Sequence, residues 1–156
     1  MERILLAGDY PNLTYLELFD FRQELMFNNV TDDSVFRSIF KDRITDLILH
    51  NNDEYINEEL SKTYTKNIYA HIMVLFQNLK HLTIATPSVN EYPFLSLKNL
   101  PSTTFFSTTL TVLCLNVMCF DDCLYLLDDC LPQLTTFIVQ IHDLSFSSLM
   151  SANMVS

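Results

Sequence analysis

The feature that most constrains the fold of this chain is a short frame, apolar-x-x-apolar-x-apolar, that recurs five times. The copies start at Leu13, Ile44, Leu79, Leu110 and Leu134, at intervals of 31, 35, 31 and 24 residues. Threonine stands second in four of the five copies, which random clustering of apolar residues would not repeat. Self-similarity at intervals of this size is the signature of a repeat architecture.

Each copy of the frame alternates apolar and mixed residues with the two-residue period of a strand. We therefore expect five short parallel strands, ordered in space as in sequence, at residues 13–18, 44–49, 79–84, 110–115 and 134–139. The first, fourth and sixth residues of each copy should point into the core, and the third, fifth and seventh should point to the opposite face.

The segments between the copies carry the three-to-four-residue spacing of helices. The longest predicted helix has an apolar stripe of Leu60, Tyr64, Ile68, Ile72 and Leu75. A second begins near Thr31 and buries Val35, Phe36, Ile39 and Phe40. A third opens at Asp121 and Asp122, carries the apolar residues Leu124, Leu127 and Leu131, and ends at Pro132. Residues 85–108, which contain three prolines, are predicted to form an irregular connection that buries Leu95, Leu97, Phe105 and Phe106.

Strands that alternate with helices favour an α/β fold with a parallel sheet and right-handed crossovers. Because the strands share one frame, we expect a right-handed solenoid with a curved parallel sheet of about five strands and helices on its convex side. The alternative is a doubly wound sheet with helices on both faces. At 156 residues, the chain is the size of a single domain, 1–156, and we expect it to be a fragment or truncated form of a longer protein.

Composition excludes several classes of function. The formal net charge of −10 makes nucleic acids and anionic membranes poor partners. Gly8 is the only glycine, which excludes the glycine-rich Rossmann, Walker A and nucleophile-elbow motifs. The first residues lack the apolar core of a signal peptide, so we expect an intracellular protein, cytoplasmic or nuclear, with reduced cysteines.

Three stretches resemble a known family in their residues as well as in their spacing. They are residues 9–18, DYPNLTYLEL; residues 77–84, QNLKHLTI; and residues 119–137, CFDDCLYLLDDCLPQLTTF. They resemble the divergent leucine-rich repeats of eukaryotic F-box proteins, and the resemblance covers nearly the whole chain. In that family the F-box docks onto the Skp1 subunit of a cullin ubiquitin ligase, and the repeats capture the substrate. No F-box is visible in this sequence, so a contact with Skp1 is expected only if an F-box lies upstream.

The resemblance implies a non-enzymatic protein-binding module, with a ubiquitin-ligase substrate as its partner. The alternative is a small α/β enzyme or ligand-binding domain whose site the sequence does not reveal. No cofactor is expected. Cys119 and Cys123 stand four apart but lack the spacing of a zinc site, and the four histidines are scattered, so neither a metal centre nor a catalytic residue is predicted.

The predicted binding surface is the concave face of the sheet, formed by the third, fifth and seventh residues of the five copies. Its three rows are Tyr15, Asp46, His81, Val112 and Thr136; Glu17, Ile48, Thr83, Cys114 and Ile138; and Phe19, His50, Ala85, Asn116 and Gln140. The middle row is unusually apolar for a solvated sheet, which marks a partner surface unless the 85–108 connection covers it. A second candidate is the acidic helix with Asp121, Asp122, Asp128 and Asp129, either a docking patch for a basic partner or an ordinary solvated face.

Overall fold

The computed structural model describes residues 10–21, 40–51, 72–73, 75–85, 106–128 and 130–143. Within these ranges the chain forms an α/β fold of five strands and one helix. The strands are β1 (Tyr15–Phe21), β2 (Asp46–Asn51), β3 (His81–Ala85), β4 (Val112–Cys119) and β5 (Thr136–Asp143), and the helix is α1 (Phe120–Leu127).

The five strands form one parallel sheet in the order β1-β2-β3-β4-β5. The predicted number, direction and spatial order of the strands are confirmed. Each strand begins two residues later than the predicted boundary, because the first two residues of the frame belong to the turn that leads into the strand.

A four-residue turn precedes three of the strands. The N–H of the first frame residue donates to the carbonyl three residues earlier: Leu13 to Tyr10 at 3.2 Å, Leu79 to Phe76 at 3.1 Å, and Leu134 to Leu131 at 3.0 Å. Proline stands second in two of these turns, at positions 11 and 132, where its fixed φ suits a turn. The structural repeat therefore begins three residues before the frame.

The recurrent threonine has a structural role at the strand entry. In the first four copies, the carbonyl of the second frame residue accepts two consecutive N–H groups from the next repeat: Thr111 O, for example, accepts those of Thr135 at 2.9 Å and Thr136 at 3.0 Å. The Thr135 hydroxyl donates to the same oxygen at 3.0 Å, and the Thr111 hydroxyl donates to Lys80 O at 3.1 Å. We call this row of contacts the threonine ladder, and it satisfies backbone groups where the sheet begins.

The core lies on one face of the sheet and is densest behind its middle strands. The first, fourth and sixth frame residues of the second, third and fourth repeats are all buried: Ile44, Leu47, Leu49, Leu79, Leu82, Ile84, Leu110, Leu113 and Leu115. The corresponding residues of the outer repeats are only partly buried: Leu13, Leu16, Leu18, Leu134, Phe137 and Val139. Full burial of such a side chain stabilises the folded chain by about 1.5 to 3 kcal/mol relative to leaving it exposed. A core side chain of the middle repeats therefore contributes more to stability than the corresponding side chain of an outer repeat.

The helix α1 confirms the prediction of a helix after β4. Its buried residues are Asp122, Cys123 and Leu126, whereas Leu124 is 51% and Leu127 is 57% exposed. At the start of the helix, Asp122 Oδ2 accepts the backbone N–H and the thiol of Cys119, each at 3.2 Å, in a capping box. These contacts give the buried Asp122 carboxylate its hydrogen-bond donors. The helix ends at Leu127, before Pro132, and Leu131 is buried beyond it.

The structure describes a few residues of the two earlier predicted helices and of the 85–108 connection. Phe40, Ile72 and Leu75 are buried, and Phe76 N–H donates to Ile72 O at 2.9 Å, as in a helical turn. Phe106 is 51% exposed, so the prediction that it is buried is wrong. The Ser107 hydroxyl accepts the N–H of Leu110 at 3.2 Å, so the chain enters this repeat through a polar turn and Leu110 takes the buried position. The remaining residues of the two earlier helices, and Leu95, Leu97 and Phe105, lie outside the described residues.

None of the helical segments that the structure describes combines the length and the apolar character needed to cross a membrane.

Candidate functional site

The face of the sheet opposite the core, here called the open face, carries the third, fifth and seventh frame residues. The strand register joins the first row as Tyr15, Asp46, His81, Val112, Thr136 and the second as Glu17, Ile48, Thr83, Cys114, Ile138. In the third row, His50 pairs with Ala85 and Asn116 pairs with Gln140. The structure thus brings together the residues predicted for the binding face, and their role in binding stays a prediction.

Four side chains of the open face, Tyr15, Glu17, Phe19 and His50, form one connected group on β1 and β2, which we call the Glu17 cluster. The Tyr15 hydroxyl donates to Glu17 Oε2 at 2.7 Å, and His50 Nε2 donates to Glu17 Oε1 at 2.7 Å. The Phe19 ring stacks on the His50 ring, with centroids 4.3 Å apart and planes 4° from parallel. A carboxylate is therefore held between a phenol and an imidazole, beside an exposed aromatic ring.

The hydrogen bonds of this cluster favour its charged form. The Tyr15 hydroxyl, followed by His50, lowers the pKa of Glu17, because both groups donate to the carboxylate. The same hydrogen bond raises the pKa of Tyr15, because the phenol cannot donate once it is ionised. Glu17 is therefore a carboxylate at neutral pH, and Tyr15 remains a hydroxyl donor.

A second acid and histidine pair lies on the neighbouring strands. His81 Nδ1 donates to Asp46 Oδ1, and the Thr45 hydroxyl donates to Asp46 Oδ2 at 2.6 Å. The Thr45 hydroxyl and then His81 lower the pKa of Asp46. The open face of β1, β2 and β3 thus carries two carboxylates, each held by two side-chain donors.

The open face of β4 and β5 has a different character. On β4, Val112, Cys114 and Asn116 are half-buried, and on β5, Thr136, Ile138 and Gln140 are exposed. Ile138 is 57% exposed, whereas Ile48 and Cys114 of the same row are half-buried, so the expected apolar row is fully open only at its β5 end.

The acidic helix is only partly a surface feature. Asp122 is 2% exposed and serves the capping box, so it belongs neither to a docking patch nor to a solvated face. Asp121 and Asp128 are exposed, and Asp129 lies outside the described residues.

None of the four cysteines forms a disulfide. Cys123 and Cys130 are buried, and the Cys130 thiol donates to Tyr125 O at 3.3 Å. Burial raises the pKa of Cys119 and of Cys123, which keeps both thiols protonated and poorly nucleophilic. Among the described residues, no group of three or more His, Cys, Asp or Glu side chains is placed to hold a metal ion.

Sequence reasoning missed the pairing of two histidines, His50 and His81, with an acid. Asp46 and His81 occupy the same frame position in consecutive copies, and Glu17 and His50 occupy positions two residues apart. Parallel strands with one shared frame bring such positions within reach of each other, so the signal was present in the rows themselves.

No family model, no curated protein and no solved structure matches this chain.

Proposed function

We propose that this chain is a non-enzymatic protein-binding module, built as a leucine-rich-repeat-like solenoid, that captures another protein on its open face. The observation that carries the proposal is the exposure of large apolar side chains on that face: Phe19 at 65%, Ile138 at 57% and Tyr15 at 49%. Exposed apolar groups of this size on one surface favour contact with a partner.

The repeating contacts support the solenoid. The threonine ladder links each repeat to the next through the same backbone positions, and the core side chains of each strand lie beside those of its sequence neighbours. Stacking of this kind, in which each repeat buries the apolar edge of its neighbour, is how repeat proteins obtain stability.

Within this proposal, the sequence resemblance favours the substrate-recognition repeats of an F-box type ubiquitin-ligase adaptor. The captured protein is then a substrate for ubiquitination, and a contact with Skp1 requires an F-box upstream of these repeats.

The proposal is tested by affinity capture with the open face altered at both ends. Glu17→Lys and Ile138→Asp should each remove the captured protein while leaving the circular dichroism spectrum unchanged. Matched controls carry the same kinds of change off the open face: Asp42→Lys in the exposed turn before β2, and Gln133→Asp in the exposed turn before β5. If both open-face variants still capture the partner, the binding surface lies elsewhere.

A further inference from the structure

The Glu17 cluster joins exposed aromatic rings to a fixed negative charge. Phe19 is the most exposed large apolar side chain in the described part of the chain, at 65%, and Tyr15 is 49% exposed. Phe19 uses one ring face to stack on His50 and remains 65% exposed, so much of its ring is open to contact from outside. Exposure of two aromatic rings beside one carboxylate is not required by the packing of the sheet, since the core lies on the opposite face.

The carboxylate of Glu17 has unused hydrogen-bonding capacity. Tyr15 and His50 each supply one donor, one to each oxygen, and an ionised carboxylate can accept about four hydrogen bonds. The two donors fix the orientation of the group, which lowers the entropic cost of a further contact.

No lysine or arginine of the strands balances this charge, since the sequences of β1 to β5 contain neither residue. Lys80, directly before β3, is a cation whose charge acts on Asp46 but not on Glu17. Asp46 lies directly opposite Tyr15 in the register and adds a second carboxylate beside the cluster. A cationic partner is therefore complementary to this part of the face, in a chain whose formal net charge is −10.

Resting on the proposed function, we infer that the Glu17 cluster binds an arginine side chain of the captured protein. A guanidinium is planar and has several N–H donors, so it can lie against the exposed edge of the Phe19 ring while its N–H groups donate to the free positions of the Glu17 carboxylate. A lysine ammonium fits this combination less well, because it is a compact point charge without a planar face.

The probe is N-acetyl-arginine methylamide, titrated into the full chain and followed by nuclear magnetic resonance of the Phe19 and His50 side chains. The matched probe is the citrulline analogue, which has a similar shape but no charge. We expect saturable shift changes with the arginine probe, and affinity for the citrulline probe about ten-fold weaker, the loss expected for one charge-assisted contact. Equal affinity for the two probes would overturn the inference.

Two variants test separately how the charge of Glu17 and the Phe19 ring contribute to probe binding. Glu17→Gln keeps the size of the side chain and should remove the preference for arginine over citrulline, and Phe19→Leu should weaken both probes. Asp42→Asn, at an exposed acid in the turn before β2, is the control and should bind as the unaltered chain does. Because the backbone spectrum of each variant reports folding, an unaltered preference in a folded Glu17→Gln chain contradicts the inference.

The outcomes distinguish this inference from the proposed function. If capture depends on Ile138 but the arginine probe shows no preference, the inference fails and the protein-binding proposal stands. If the arginine probe binds as expected but the open-face variants still capture the partner, the proposed surface fails, whereas the recognition of arginine by the cluster stands.

Discussion

The two faces of the sheet are built from alternate residues of the same strands, yet they differ in how much the repeats resemble one another. On the core face the fourth and sixth frame residues are leucine, isoleucine, valine or phenylalanine in every repeat. On the open face the first row alone runs through Tyr15, Asp46, His81, Val112 and Thr136. The apolar residues of the core face stabilise the fold in every repeat. The residues of the open face are not needed for this packing and differ from repeat to repeat.

The largest expected effect separates the two faces within one strand. Leu82 is fully buried and lies between Leu47 and Leu113 in the register, so Leu82→Ala should lower the free energy of unfolding by about 2 to 5 kcal/mol. Thr83→Ala, at the next residue on the open face, should change it by about 0.5 kcal/mol or less. Urea unfolding measures the free energy of unfolding of both variants. Similar losses for the two would show that the core face and the open face contribute equally to stability at this strand.

The same comparison extends from the middle of the core face to its outer strand. Leu16 on β1 is only partly buried, so Leu16→Ala leaves less of a cavity than Leu82→Ala does and should cost less. A greater loss at Leu16 would indicate that β1 is covered more fully than its exposure suggests.

A smaller effect is expected where α1 covers the core face. Asp122→Ala removes the acceptor of the Cys119 N–H and thiol, and it should lower the free energy of unfolding by about 1 to 2 kcal/mol. Asp121→Ala, in the same helical turn but exposed, is the control. Thermal unfolding followed by circular dichroism compares them, and equal losses would mean that the capping box adds nothing beyond the charge of an acid near the helix start.

The threonine ladder should contribute less again. Thr111→Val keeps the β-branched shape but removes the hydroxyl that donates to Lys80 O, so a loss of about 0.5 to 1 kcal/mol is expected. Thr83→Val makes the same chemical change on the open face and should be close to neutral. If Thr111→Val is as stable as the unaltered chain in urea, the threonine is not retained for this hydrogen bond.

The frame was sufficient to predict the five parallel strands, their order and the rows of the open face, because alternation with a period of two residues assigns each side chain to a face. The apolar residues of α1 were not sufficient to identify its buried side, since Leu124 and Leu127 are exposed whereas Asp122 and Cys123 are buried. Phe106 was mispredicted because an apolar side chain next to a polar turn need not be buried. The acid and histidine pairs depend on contacts between strands, which no single repeat contains.

The smallest expected effect concerns the charged end of the open face. Hydrogen bonds lower the pKa of Glu17 and of Asp46 below their ordinary values of 4.5 and 3.8. A carboxyl group with a lowered folded-state pKa contributes stability above its unfolded pKa, and this contribution is lost as the pH falls through the folded-state value. The stability advantage of the unaltered chain over the Glu17→Gln, Asp46→Asn double variant should therefore be present at neutral pH and shrink as the pH falls below about 4.5. Solvent screens both groups, so the change is small. Urea midpoints measured down to about pH 3 check it. Thr83→Val, which changes no titratable group, is the control, and its difference in urea midpoint from the unaltered chain should not depend on pH. If the difference for the double variant is equally independent of pH, these hydrogen bonds do not favour the carboxylates in the folded chain.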